Sequence, residues 1–431
     1  MSTVTKTDPY PPSYYLASAK ELREAPALQG DVTCDVCVVG GGFTGVASAL
    51  ELAERGYKVV LLEAQRIGWG ASGRNGGQLS GGQRVEPEAL EKIVGKERAR
   101  LLWDLGEESK NLVKQRVARH GIDCDLKPGV IHAGIKPSHA KEMQDHARSL
   151  RDGYGYQHVR PLSREELRAV VACDSYHGGA LDTDAGHLHP LNYVLGLAKA
   201  AREAGAVIHE LSPALEITQR NGKPGVRSTA GSVTADFLVL ACNGHLGGLE
   251  PRIASTIMPI NNFVIATEPL GEARAREIIA NDAAVADSKY VIDYYRFSAD
   301  HRLLFGGGES YRLNYPADIA GLVRKCMLRV FPQLGDVAID YAWGGKVAIT
   351  MNRLPAFGRL DGNILYAQGF SGQGVALTSL AGKVIAEAVA GQAERFDVFS
   401  EIPTPRFPGG PLLRWPSLVL GMLYYSLLDR L

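Results

Sequence analysis

Surplus charge, aromatic mass, metal-type cysteine spacing and long apolar runs are all scarce in this chain, and each scarcity removes a class of function. Basic and acidic residues number 47 each, so the formal charge is zero. A nucleic-acid footprint needs a basic surplus, and no block of like charge marks a solvated tail. The six cysteines, at 34, 37, 124, 173, 242 and 326, lack metal-ligand spacing. Cys34 and Cys37 match a redox spacing formally, yet both fall in an entering strand, where cysteine behaves as a small buried hydrophobe. Free thiols of this kind fit a reducing, cytoplasmic setting.

No apolar run reaches the roughly 20 residues of a membrane span. The longest, Pro411 to Tyr425, is interrupted by Arg414 and Pro416; packing on its own domain is expected, with membrane-surface contact as the alternative. Met1 to Pro12 is polar and lacks a signal-peptide core, so export is not expected. Internal repeats and low-complexity tracts are absent. A chain of 431 residues exceeds one ordinary core, which predicts two domains.

What the chain does have is a complete strand–turn–helix–strand unit. The apolar strand Cys37 to Val39 runs into glycines at 40, 42 and 45; a helix follows through Arg55, Gly56 stops it, and a second strand from Val59 ends in Glu63. Gly40 permits the tight turn, Gly42 lets the backbone approach a pyrophosphate, and Gly45 lets helix and strand pack closely. A pyrophosphate is expected on the N–H groups of this helix end, where the macrodipole favours negative charge, with Glu63 accepting from a ribose hydroxyl.

Glycine density then selects the dinucleotide. Five glycines occupy the ten positions from Gly68 to Gly77, a density that no core strand or helix uses. Backbone laid over a large flat ligand explains it. Near the other end, the strand Asn363 to Gln368, the turn Gly369 to Gly374 and the apolar helix Val375 to Ala390 present a second helix N-terminus. Such an end stabilises the negative charge of a reduced isoalloxazine, so a flavin is favoured over a nicotinamide.

The run Cys34 to Gln78, the strand Phe237 to Ala241 with Cys242-Asn243-Gly244, and the Gly369 to Gly374 turn resemble the D-amino-acid oxidase family of FAD oxidoreductases. Ser13-Tyr14-Tyr15, Ala71 to Gln78, Leu181 to Pro190, Asp293 to Arg296 and Tyr424 to Leu427 resemble its branch acting on gamma-glutamylputrescine. The resemblance implies an α/β fold in which a Rossmann-like FAD domain of the glutathione-reductase type (31–83, 188–250, 344–395) interleaves with a substrate domain on an antiparallel sheet (84–187, 251–343). An N-terminal arm (1–30) and a C-terminal apolar tail (396–431) flank them. It implies non-covalent FAD held by Gly40, Gly42, Phe43, Thr44, Gly45, Glu63, Ala64, Arg66, Gly70, Ala71, Ser72, Gly73, Asn75, Gly76, Gly77, Gln78, Asn243, Gly244, Gly369, Phe370, Ser371, Gly372, Gln373 and Gly374.

The activity implied is oxidation of gamma-glutamylputrescine to an aldehyde and ammonia, with oxygen or another acceptor. The alternatives are oxidation of a secondary, sarcosine-like or D-amino acid, or a flavin-binding subunit without turnover. No side chain need act as acid or base, because the flavin takes the hydride. Substrate contacts are expected from Arg353, whose fork suits a carboxylate, from Asn75 and His189, and from Tyr294 or Tyr295, which as strand neighbours point to opposite faces. His187 and His189 have no third ligand nearby and suit a structural place at the domain seam. Relatives that react quickly with oxygen carry a lysine on the strand resembling Leu303 to Gly307, where this chain has Leu303-Leu304-Phe305, and Gln373 replaces a histidine common in the turn.

Overall fold

A computed structural model of the chain describes residues 10–310 and 314–408, with the isolated positions 416, 419 and 421. Two sheets organise it. The first runs Ala356–Leu360, Ile364–Gln368, Gly231–Leu240, Gly30–Val39, Val59–Leu62, Val207–His209. All but the first of these strands are parallel to their neighbours, and a hairpin of Glu216–Arg220 and Lys223–Arg227 extends Gly231–Leu240. Parallel strands are covered on both faces and therefore read as unbroken apolar runs, as Val36–Val39 and Val59–Leu62 do; all eight residues are buried. Helix Gly374–Val389 lies so close to helix Phe43–Glu54 that a Cβ on Gly382 would meet Ala47 at 2.6 Å.

The second sheet runs Ile339–Ile349, Met258–Thr267, Leu303–Ser310, Tyr294–Phe297, Ala284–Asp287, Lys127–Ala133, Gly179–His187, Gln78–Leu79. Its pairings are antiparallel except where Ala284–Asp287 meets Lys127–Ala133. Directly paired residues share a face. One row, Ile131, Val285, Tyr295 and Phe305, enters the second core. The next row, His132, Ala286, Tyr294 and Gly306, therefore faces the other way.

Sheet pairing moves some expected edges. Residues 344–349 pair with Met258–Phe263, so the third stretch of the first sheet starts at Ala356, after the turn at Arg353. Between Pro87 and His120 the chain forms two helices, Pro87–Val94 and Lys96–Arg119, separated at Gly95, where φ is +82°. Most of the expected apolar tail lies outside the described residues, as does Tyr424-Tyr425. Among the described residues, no helix is long and apolar enough to cross a membrane.

Arg296 fastens the sheets together. Its side chain is among the largest that are fully buried, and it donates from Nε to Gly76 O (2.8 Å) and from Nη2 to Leu188 O (2.8 Å) and Tyr15 Oη (3.3 Å). A third carbonyl, that of Phe297, accepts from Nη1 at 3.2 Å. Gly77 must be glycine here, because a Cβ would lie 2.0 Å from Leu188 O and 3.0 Å from the guanidinium. Arg296→Met leaves the carbonyls unpaired and should lower unfolding free energy by about 3 kcal/mol or more; urea denaturation checks this, and a midpoint within error of the parent would refute it.

Candidate active site

The parallel strands converge on one site by direction alone. Gly40 follows strand Gly30–Val39, Glu63 follows Val59–Leu62, Asn243 follows Gly231–Leu240 and Gly369 follows Ile364–Gln368, so all four lie beyond carboxyl ends of adjacent strands. Open α/β sheets bind ligands there. A hollow of about 530 Å3 lined by Asp35, Arg55, Tyr57 and Gln392 lies at the opposite, amino end of these strands and is not the candidate.

At the first turn the glycines do steric work. A Cβ on Gly45 would stand 1.9 Å from Gly40 O, and one on Gly40, at φ +113°, would stand 2.7 Å from Ala241 O. Glu63 closes the turn, its Oε2 accepting from Gly41 N (2.6 Å) and its Oε1 from Gln65 N (2.8 Å). Burial raises its pKa against those donors, and each oxygen keeps a lone pair for a ribose hydroxyl. Ser72 Oγ accepts from Phe43 N at 2.9 Å and brings the second glycine-rich loop over the helix end. The remaining N–H groups of that first turn point out of the helix, as anion binding needs.

That loop is clamped to both sheets. Arg74 stacks on Trp69 with its Cζ 4.2 Å from the ring centroid, donates to Trp69 O (2.6 Å) and Gly344 O (3.2 Å), and Trp343 Nε1 donates to Arg74 O (3.0 Å). Asn75 is spent within the loop, donating to Ala71 O and Ser72 O and accepting from Gly77 N at 2.8 Å. Arg66 turns away to Glu210 (2.9 Å) and Glu24 (3.0 Å), and Gln78 donates to Val285 O (2.8 Å). Asn75 and Gln78 hold backbone and Arg66 holds carboxylates; Asn75 is a loop staple where a substrate contact was expected.

Across the site, Asn243 Oδ1 accepts from Gly369 N at 2.9 Å. The turn itself is left-handed at Gly369 (φ +72°), Ser371 (+52°) and Gly372 (+95°). His245, next to Gly244, is exposed to solvent, yet burial with Lys346 and Arg74 nearby lowers its pKa to about 4. A group reachable by water but surrounded by protein lines a cleft. His132, exposed and lowered in pKa by desolvation, lines the same kind of space on the second sheet. Glycine backbone, an acid beyond the second strand, two helix ends and this cleft fit FAD.

The other expected substrate residues divide. Tyr294 lies between the loop and the sheet, where Cβ atoms on Gly306 and Gly76 would be 2.0 and 2.5 Å from its ring, and its hydroxyl donates to Asn262 Oδ1 at 2.5 Å. Tyr295 is instead a core residue, stacked on Phe305 and donating to Tyr176 Oη at 3.1 Å; strand alternation places it there. His189 is a helix cap: Nδ1 accepts from Asn192 N (3.1 Å), which leaves Nε2–H for Ser18 Oγ (3.0 Å), so it is not free for substrate. Arg353 is half-buried on its own loop at φ +62°. Arg84, His132, His245 and Lys346 were not anticipated; no local motif marks them, since only the chain's folding sets Arg84 near His132 and Lys346 near His245.

Comparison with known proteins agrees with this geometry. The family model DAO, FAD dependent oxidoreductase, matches residues 35–388. The chain is 45% identical over 420 residues to the gamma-glutamylputrescine oxidoreductase of Escherichia coli strain K12, covering 97% of this chain and 98% of that protein. It is 39% identical to a probable oxidoreductase OrdL of Haemophilus influenzae, over 97% of each. Among solved structures, glycine oxidase of Geobacillus kaustophilus shares the fold with a TM-score of 0.73 at 21% identity, over 88% of this chain and all of that one.

Two outcomes follow. Gly45→Ala forces the helix off the strand and should yield protein with little flavin absorbance per polypeptide; full FAD content would sink the pyrophosphate assignment. His187 and His189 are both held near pKa 3, chiefly by burial and next by the Arg296 charge. Unfolded histidine titrates near ~6.5, so the folded state binds fewer protons, and stability present above that pH is lost as pH falls toward about 3. Urea midpoints from pH 8 to 4 should decline, and less steeply in His189→Asn, which keeps a cap; equal slopes would contradict the account.

Proposed function

The chain belongs to the DAO family of FAD-dependent oxidoreductases, and from that footing we propose that it oxidises gamma-glutamylputrescine at the terminal amine of its putrescine end. Loss of a hydride and a proton from the amine gives an imine, which water hydrolyses to gamma-glutamyl-aminobutyraldehyde and ammonia, and the two electrons pass on to an acceptor, forming hydrogen peroxide if that acceptor is oxygen. The observation that carries this reading is the near full-length identity to the Escherichia coli enzyme of that name, joined to a site whose parts fit FAD.

Bound FAD supplies the hydride acceptor. The chain's residues supply the rest. Gly40, Gly42 and the helix from Phe43 would hold the pyrophosphate, Glu63 the ribose, and the Gly68–Gly77 loop with the Gly369–Gly374 turn the ring system. Tyr294, fixed by Asn262 and walled by Gly76 and Gly306, would shape the side of the cleft facing the second sheet. Its rigid ring excludes water and restrains the amine's approach, which is where positioning contributes to rate. The imidazoles of His132 and His245 are kept neutral by burial and place no fixed charge beside the reacting carbon. Leu303, Leu304 and Phe305 are fully buried, so this strand offers no cation to promote reaction with oxygen.

Anaerobic titration with gamma-glutamylputrescine should bleach the oxidised flavin absorption stoichiometrically. Absence of bleaching, with bleaching by sarcosine or a D-amino acid instead, would overturn the substrate and leave the family standing. Slow return of colour in air is expected from the apolar strand.

A further inference from the structure

Ile67 opens the glycine-rich loop, and both of its backbone groups are taken by side chains distant in sequence. Its N–H donates to Glu210 Oε1 at 2.7 Å, and its carbonyl accepts from Tyr10 Oη at 2.6 Å. The residue is buried and lies outside any strand or helix, so its backbone needs partners of this kind.

The same residue bears on the dinucleotide turn. A Cβ on Gly41 would lie 2.6 Å from Ile67 Cδ1 and 3.0 Å from Glu63 Oε2, and Gly68 N donates to Gly41 O at 2.9 Å. The Ile67 side chain thus fills the space at Gly41, next to the acid assigned to the ribose. A shift of Ile67 would open room at that turn.

The N-terminal arm meets the loop twice. At the first meeting Tyr10 bonds to Ile67, and a cavity of only about 10 Å3, roughly one water, remains between Tyr10, Ser13 and Leu16 on the arm and Gly68, Trp69 and Gly73 on the loop. At the second, Arg66 Nη2 pairs with Glu24 Oε1 at 3.0 Å and Ala25 N donates to Glu210 Oε2 at 2.9 Å. Buried Glu210 therefore joins arm and loop, since its other oxygen takes Ile67 N. Between the two meetings the arm is fixed by Tyr15, fully buried with its ring centroid 5.3 Å from that of Trp343, and by Lys20 N on Asn192 Oδ1 at 3.0 Å. Burial, then the charges of Glu210 and Glu63, raise the pKa of Tyr10, so its phenol keeps the proton it donates.

We infer that the arm is a strap that retains FAD, with Tyr10 and Glu210 as positioning residues that hold Ile67 against the dinucleotide turn, and that opening of the Tyr10 bond is a step in cofactor release. The inference stands whichever amine the enzyme oxidises. Without the phenol O–H, the Ile67 carbonyl is buried and unpaired in the closed loop, a penalty relieved when the loop opens to water. The open state is then populated more often, and FAD leaves through it.

Release of FAD from the loaded enzyme, followed on dilution by the rise in flavin fluorescence, tests the strap. Tyr10→Phe keeps the ring and removes only the donor, and should release FAD about 5- to 30-fold faster than the parent, as loss of a buried hydrogen bond implies. A chain lacking residues 1–12, which keeps the Ser13 cap and Tyr15, should release it at least as fast; Tyr10→Phe decides the matter even where the shortened chain does not fold. Tyr14→Phe is the control. It removes a bond of the same kind from the same arm, that to Asp300 Oδ1 at 2.7 Å, and should release FAD at the parent rate. Release at the parent rate from Tyr10→Phe would reduce the bond to a structural contact and overturn the inference. Equally fast release from Tyr14→Phe would overturn it too, by tracing the effect to docking of the arm as a whole.

Discussion

A buried guanidinium is the constraint on which the site depends. Arg296 reaches from the second sheet to the carbonyls of Gly76 and Leu188 and to the hydroxyl of Tyr15, so one side chain fixes the glycine-rich loop, the return to the first sheet and the N-terminal arm. Removing a charge from water is costly, and multiple hydrogen bonds in good geometry are what make it tolerable. Those bonds exist only when the two domains are in register. Its charge also acts on its surroundings: His187 and His189 are kept neutral partly by it, which lets two imidazoles serve as uncharged fasteners at the seam.

The first sheet was legible because its logic is local. An apolar strand, three glycines and an acid at the end of the next strand describe a βαβ unit within 30 or so residues, and the parallel pairing Val36–Val39 with Val59–Leu62 follows from it. The second sheet was less legible. Its strands are contributed from distant stretches, and half-buried antiparallel strands carry only a period-two pattern. The edge expected at Gly344 failed for that reason: Gly344-Gly345 reads as a break, whereas both residues are paired in a strand of eleven.

Site residues divide the same way. Backbone roles, those of Gly40, Gly45 and Gly77, could be read from spacing. Side-chain roles could not, because Asn75, Gln78 and Arg66 belong to the same motif yet satisfy carbonyls and carboxylates of the protein. Tyr294 and Tyr295 were separable in principle by alternation, but which of them faced the cleft depended on register against Gly306 and Phe305. Arg84 carried no signal at all. Its place comes from Gln373, the residue that departs from the family's usual histidine, reaching across to hold Ser80 and Gly81.

The surroundings of the cleft bear on the protonation of an amine. Oxidation requires the neutral amine, whereas a free primary amine in water holds its proton to near ~10. Burial, and after it the charges of Lys346 and Arg74, keep the His245 imidazole neutral, so its surroundings disfavour a further positive charge. An amine brought into such surroundings would be favoured in its neutral form. Activation of the amine by its surroundings would thus need no side chain that exchanges protons with it, since the flavin accepts the hydride.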